Sequence, residues 1–242
     1  MKTRAVTAQA RIELMLTVRR SESLLVTLVI PLGILVFFTK VDAVSTIAHP
    51  VDFLVPGVLA LAVMSSAMVS LGIATGYERR YGVLKRLGST PLSRSGLLTA
   101  KTANVLLLEV VQSAVILATG IALGWSPSGG LVAAVGLVLL GTIAFAGIGL
   151  LLAGTLRAEA NLAVANGLFL VLLFLGGMAY PLHRLPDALE TFARLLPAAA
   201  LSETLRGVLD AHASFDVGEL VVLAVWAVAA PLAAARWFRW DE

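Results

Sequence analysis

Long uncharged apolar runs recur along the chain at about residues 23–39, 53–75, 102–124, 131–155, 160–178 and 217–235, and the short segments between them hold nearly all the charge. Each run is close to the ~20 residues that an α-helix, rising ~1.5 Å per residue, needs to cross a bilayer. The pattern predicts an all-α polytopic membrane protein with six transmembrane helices in a single domain, residues 1–242. An even number of spans leaves both termini on one side. The first run, Ser23 to Phe38, lies behind a charged segment with no small-residue cleavage site, so it reads as a retained span.

Composition changes the picture by exclusion. The chain is 59% hydrophobic and 14% charged, with a mean hydropathy of +0.93, and a soluble globular domain is excluded. Nearly all of the 242 residues go to spans and short connections, so no separate soluble catalytic domain of ordinary size fits. Any energy source has to come from a partner or an ion gradient. There are no cysteines, hence no disulfides or thiol chemistry. His49, His183 and His212 fall in segments between spans and no HExxH occurs, so neither a metal site nor a membrane-embedded enzyme is expected. No nucleic-acid partner is expected.

The charge distribution predicts an orientation. One side collects Lys2, Arg4, Arg11, Arg19, Arg20, Arg79, Arg80, Lys85, Arg86, Arg94, Lys101, Arg157, Arg236 and Arg239, and the other only Lys40, Arg184, Arg194 and Arg206. The positive-inside rule places the first group, and with it both termini, in the cytoplasm. The acids Asp42, Asp52, Asp187, Glu190, Glu203, Asp210, Asp216 and Glu219 lie outside or near the outer boundary. Trp237, Phe238 and Trp240 beside Arg236 and Arg239 read as an interfacial anchor.

Residues 77–101, YERRYGVLKRLGSTPLSRSGLLTAK, hold six of the eighteen Lys and Arg residues. Taken as a helix, Tyr77 to Leu87 is amphipathic: Tyr77, Tyr81, Leu84 and Leu87 share one flank, and Glu78, Arg79, Lys85 and Arg86 the other. Gly88 and Pro91 end it, and Ser93 or Ser95 is placed to cap the next helix. Charge alone makes this a topogenic, lipid-touching loop. The apolar flank with its sharp stop suits docking into a protein groove.

Within the spans the lone acid is Glu109. Its burial as an ion would cost ~2.5–3.5 kcal/mol on insertion scales, so it is expected to be protonated, paired or facing water. Thr102, Glu109, Ser113 and Gly120 share one helical stripe. A role on a substrate pathway and a structural hydrogen bond between helices both remain open. Asn161 and Asn166 are further pathway candidates, behind a packing role. Gly72 and Gly76, and Gly141, Gly147, Gly149 and Gly154, read as packing contacts. Outside the membrane, Asp187 and Glu190 form an acidic capping-box pattern starting a short helix with Leu189, Phe192, Leu195 and Leu196. Pro197 breaks it. A second amphipathic piece follows, with Leu201, Leu205, Val208 and Leu209 apolar and Ser202, Glu203, Arg206 and Asp210 polar. These two helices either re-enter the outer leaflet or lie on the interface.

Residues 53–101, from FLVPGVLALAVMSSAMVSLGIATG through the basic stretch, resemble the membrane subunits of type-2 ABC exporters, the permease family of daunorubicin-type drug exporters and of some lipid and polysaccharide exporters. GGMAYPLHRLPDALETFARLLPAAALSETLRGVL, residues 176–209, is similar to that family's outer segment. The resemblance implies a permease exporting hydrophobic or amphipathic compounds such as drugs or lipids, in the plasma membrane, the inner membrane of a bacterium. It implies a cytoplasmic coupling segment, 77–98, seated on a separate ATPase. The residues carried over to that role are Tyr77, Glu78, Arg79, Arg80, Tyr81, Gly82, Leu84, Lys85, Arg86, Leu87, Thr90 and Pro91. It also implies an outer gate at 180–213, flanked and built by Gly176, Gly177, Pro181, Pro186, Pro197 and Arg206. ATP and Mg would be held by the ATPase, expected in two copies beside a second permease chain. In agreement, GLLTAKT at 96–102 lacks the glycine that precedes the lysine of a phosphate-binding loop, so this chain is not expected to bind ATP. Alternative readings are an ion-coupled carrier using Glu109, a lipid-linked glycan exporter, and a non-transporting scaffold or immunity subunit.

Overall fold

The structure, a computed structural model, describes residues 21–40, 50–88, 94–127, 129–178, 180–210 and 213–239. The expectations for Lys2 to Arg20, Asp42, His49, Thr90, Pro91, Ser93, His212 and Trp240 lie outside the described residues. Those described are helical, with no strand among them: α1 Ser21–Lys40, α2 Pro50–Arg80, α3 Val83–Gly88, α4 Arg94–Ala122, α5 Leu131–Thr155, α6 Ala158–Leu175, a 3-10 turn Leu182–Arg184, α7 Asp187–Ala193, α8 Pro197–Leu209 and α9 Val217–Trp237. Five stretches are long and apolar enough to cross a membrane: all of α2, Ala100–Ala122 of α4, α5, α6 and α9. Leu28–Lys40 of α1 is a shorter apolar helix.

The middle of the molecule is α2, buried along most of its length, whereas α4, α6 and α9 leave most of their apolar surface outward. In a bilayer such outward faces meet lipid tails, so burying them in protein brings little gain. Close packing between small residues joins the helices instead. Gly72 on α2 and Gly149 on α5 show this: a Cβ on Gly72 would sit 2.9 Å from the Gly149 carbonyl oxygen, and one on Gly149 would sit 2.5 Å from that of Met68. α2 is not uniform. Its α-helical ends, Pro50–Val63 and Leu71–Arg80, are joined by a π-helical segment, Met64–Ser70, a geometry that is rare and often found at functional positions.

Direct contacts gather one end of the bundle. Glu78 pairs with Lys101 at 2.6 Å, Arg79 donates to the Leu156 carbonyl at 2.5 Å, Arg80 pairs with Glu159, and the Arg239 amide donates to the Gly154 carbonyl at 3.1 Å. Among the described side chains this end holds eight bases, Arg79, Arg80, Lys85, Arg86, Lys101, Arg157, Arg236 and Arg239, and two acids, Glu78 and Glu159. The opposite end holds four bases, Lys40, Arg184, Arg194 and Arg206, and seven acids, Asp52, Asp187, Glu190, Glu203, Asp210, Asp216 and Glu219.

One element differs from the sequence expectation, and a second narrows it. The amphipathic segment Tyr77 to Leu87 is not one helix: α2 runs on to Arg80, Gly82 takes a left-handed conformation at φ 68°, and α3 starts anew. Glycine adopts that conformation at no steric cost and so ends the helix there. Of the two alternatives for the second outer helix, a helix lying on the interface does not fit. α8 is buried on nearly every side, Ala198 to Ser202 and Thr204 to Arg206 included, against α2, α5 and α9.

Candidate functional site

At the basic end, Tyr81 N–H bonds the Tyr77 carbonyl at 2.9 Å and Gly82 N–H the Arg79 carbonyl at 3.0 Å, while the Gly82 carbonyl accepts from Arg86 to begin α3. This fixes α3 directly beneath α2. Leu84 points inward and is fully buried, whereas Tyr81 is 68% exposed. Tyr81 stacks on Tyr77 with ring centroids 6.2 Å apart. Val83, Lys85 and Arg86 are exposed. The outward face of this turn and helix therefore consists of Tyr81, Val83, Lys85 and Arg86. Of the remaining coupling candidates, Glu78, Arg79 and Arg80 are bonded to other helices, and the Leu87 side chain lies outside the described residues.

In the membrane interior, Glu109 and Gln112 face inward from α4, one turn apart. Thr142 of α5 donates to Glu109 Oε2, and Ser66, in the π segment of α2, bonds Gln112 at 2.8 Å. Glu109 is 2% exposed and its Oε1 is buried with no hydrogen-bond partner among the described residues. The buried face of α4 runs Lys101, Val105, Glu109, Gln112, Ile116 and Gly120, so Ser113 sits beside this cluster and not in it.

The acidic end is centred on Arg206 of α8, 4% exposed. It donates to the Gly177 carbonyl, to Glu203 and, at 3.3 Å, to the Phe53 carbonyl, with its guanidinium carbon 3.8 Å from the Phe53 ring centroid. Ser202 bonds the Gly176 carbonyl at 2.5 Å. Gly176, Gly177 and Arg206 are thereby joined, and Pro181 and Pro197 are buried beside them, while Pro186 is exposed at the start of α7. Glu190 does not cap α7; it accepts from Arg194 at 2.8 Å, and Arg194 reaches Glu219 of α9 at 2.7 Å. The Glu190 hydrogen bond holds the Arg194 guanidinium above its ordinary pKa. A polar pocket of about 520 Å³ opens here, lined by Phe53, His183, Arg184, Glu203, Arg206 and Asp210 among others.

Residues 4–209 match the ABC-2 type transporter family. The chain belongs to that family. It is 26% identical over 201 residues, 78% of this chain and 79% of the relative, to a Bacillus subtilis (strain 168) protein named "Putative transport permease YvfS". The molecule is thus a multi-pass ABC-2 membrane permease, a transport subunit of a family that works with a partner ATPase.

The pathway candidates of this permease do not converge. Glu109 pairs with α5, while Asn161 is fully buried and donates to the Gly72 carbonyl of α2 at 2.8 Å. Asn166 is exposed and bonds its own helix at the Leu162 carbonyl. Sequence reasoning missed Ser66, Gln112 and Thr142. The three-residue step from Glu109 to Gln112 was a legible signal for one of them; a hydroxyl in a span is none, since it finds a carbonyl on its own helix.

Proposed function

We propose that this permease is the membrane subunit of an ATP-driven exporter that carries hydrophobic or amphipathic compounds, such as drugs or lipids, out of the cell. In this reading the basic end is cytoplasmic, ATP and Mg are bound by two copies of a separate ATPase, and a second permease chain completes the conduit in the plasma membrane. The observation that carries it is the construction of α3. A short helix hung on a left-handed glycine, anchored inward by Leu84 and presenting Tyr81, Val83, Lys85 and Arg86 outward, offers a partner an aromatic and aliphatic contact ringed by positive charge. Two features support an amphipathic cargo. A groove of about 270 Å³ between α5, α6 and α9 is lined by Ile148, Leu168, Leu172, Trp226 and Ala230, and the polar pocket lies at the acidic end, where the outer gate is assigned.

The test is Tyr81→Ala with Val83→Ala in the full-length permease. Interface anchors of this kind are worth ~2 kcal/mol, about thirtyfold in affinity. The expected result is correct membrane insertion with reduced recovery of the ATPase subunit and reduced stimulation of its hydrolysis. Undiminished recovery and hydrolysis overturn the coupling assignment.

A second reading, an ion-coupled carrier, is favoured by one observation: the buried Glu109 carboxyl has an oxygen with no partner among the described residues. It predicts that a proton gradient alone drives transport in proteoliposomes and that Glu109→Gln abolishes it. The exporter reading predicts dependence on ATP, with Glu109→Gln leaving ATP-driven transport in place.

A further inference from the structure

We infer that Glu78, Arg79 and Arg80 do not dock the ATPase but clamp the end of α2 to three neighbouring segments, so that α3 and the basic ends of α2, α4 and α6 move as one block. This rests on the reading of α3 as the docking helix. Successive residues of an α-helix point ~100° apart, so three in a row can reach in three directions, and here each finds a different element. Glu78 takes Lys101, two turns into α4, Arg79 takes the Leu156 carbonyl in the turn between α5 and α6, and Arg80 takes Glu159 in the first turn of α6. Lys101 and Arg79 are 2% and 4% exposed, so neither presents its charge to a partner protein. A buried charge is costly unless it is bonded. The burial of these two therefore fixes the helix ends they join.

A second layer lies above. Asn161 of α6 donates to the Gly72 carbonyl, and Gly72 lies against Gly149 of α5. Above that layer α2 changes to its π segment, where the block ends. Below, only Tyr81 and Gly82 separate α2 from α3, and Leu84 of α3 is buried. A displacement imposed on α3 has no slack loop in which to dissipate before it reaches Arg80. Glu78, Arg79 and Arg80 are positioning residues for coupling.

The test uses the full-length permease in nanodiscs with the ATPase subunit that co-purifies with it. The chain has no cysteine, so Ser214→Cys, on the exposed lining of the acidic-end pocket, is a single maleimide reporter. ATP with vanadate is expected to change its labelling rate. Adding Glu159→Arg sets a cation against Arg80 and opens the clamp at an exposed point. The ATPase is expected to remain bound and to hydrolyse ATP, while the nucleotide-dependent change in labelling is lost. Arg80→Glu alone is expected to lose the same response, and Arg80→Glu with Glu159→Arg, the reversed pair, to regain it. A full response in Glu159→Arg, loss of ATPase binding in that variant, or failure of the reversed pair to regain the response each overturns the clamp. If the unclamped parent, carrying Ser214→Cys only, recovers no ATPase, the exporter reading itself fails, and the clamp with it. An ATPase-bound parent whose labelling ignores nucleotide overturns the clamp alone.

Discussion

Arg206 shows what a single buried residue does. Its planar fork satisfies two backbone carbonyls, Phe53 and Gly177, and a carboxylate, Glu203, at once. Removing it leaves the Gly177 carbonyl buried without its donor and the partly exposed Glu203 without its cation. Arg206→Ala is expected to cost about 3 kcal/mol, the low end of the range for breaking a buried ion pair from one side because Glu203 is partly exposed, read as a drop in thermal unfolding temperature in detergent. Arg206→Lys keeps the charge but not the fork geometry, so it is expected to fall between the two. An Ala variant as stable as the parent would show that the outer segment does not depend on this residue. Arg206 was legible as a motif position and as part of a polar face. Its partners were not, because a carbonyl 153 residues away leaves no mark in a side-chain pattern. The same holds for Glu109: an acid in an apolar run announces itself, but Thr142 does not, since its hydroxyl also bonds the Val138 carbonyl of its own helix.

At the scale of elements, apolar runs were legible as helices because length and composition fix them, and the breaks were harder. The amphipathic period of Tyr77 to Leu87 treated Tyr81 and Leu84 as one docking face. The left-handed Gly82 rotates α3 against α2, so Leu84 points into the bundle while Tyr81 stays exposed. Leu84→Ala is accordingly expected to destabilise the fold by ~2–5 kcal/mol, as for other buried leucines, and not to act as an interface variant. Helix packing gives a sharper contrast. A methyl on Gly149 would press on the Met68 and Ala67 carbonyls at 2.5 and 3.0 Å, while one on Gly136, in the same helix, meets nothing within 4 Å. Gly149→Ala is expected to lose ~1–3 kcal/mol by overpacking. Gly136→Ala is expected to be neutral or to gain up to ~1 kcal/mol from helix propensity. Equal melting temperatures for the two variants would mean that α2 and α5 do not approach as closely as described. The glycines were legible as packing residues; which glycine meets which was not, because spacing within one helix says nothing of the register between two.

For the whole molecule, a net charge of +3 hides a strong polarity. Among the described side chains the basic end has eight bases to two acids and the opposite end four bases to seven acids. This asymmetry was read from the sequence because it needs only span boundaries good to a few residues, and the contacts among Glu78, Arg79, Arg80, Lys101, Leu156 and Glu159 bring the basic segments together in space. Positive charge resists translocation, so on the proposed reading the basic end is expected in the cytoplasm, and α3 with it. The acidic end, with its pocket and α8, is then expected to face outward. In the cysteine-free chain, Lys85→Cys and Leu189→Cys place one thiol at each end, both at exposed positions. In intact cells a membrane-impermeant maleimide is expected to label residue 189 promptly and residue 85 only after the membrane is opened. The reverse pattern would put α3 outside, where no ATP is available to a partner, and would overturn orientation and exporter mechanism together. It would leave the bundle intact, because none of the contacts that hold the helices depends on which side of the membrane each end faces.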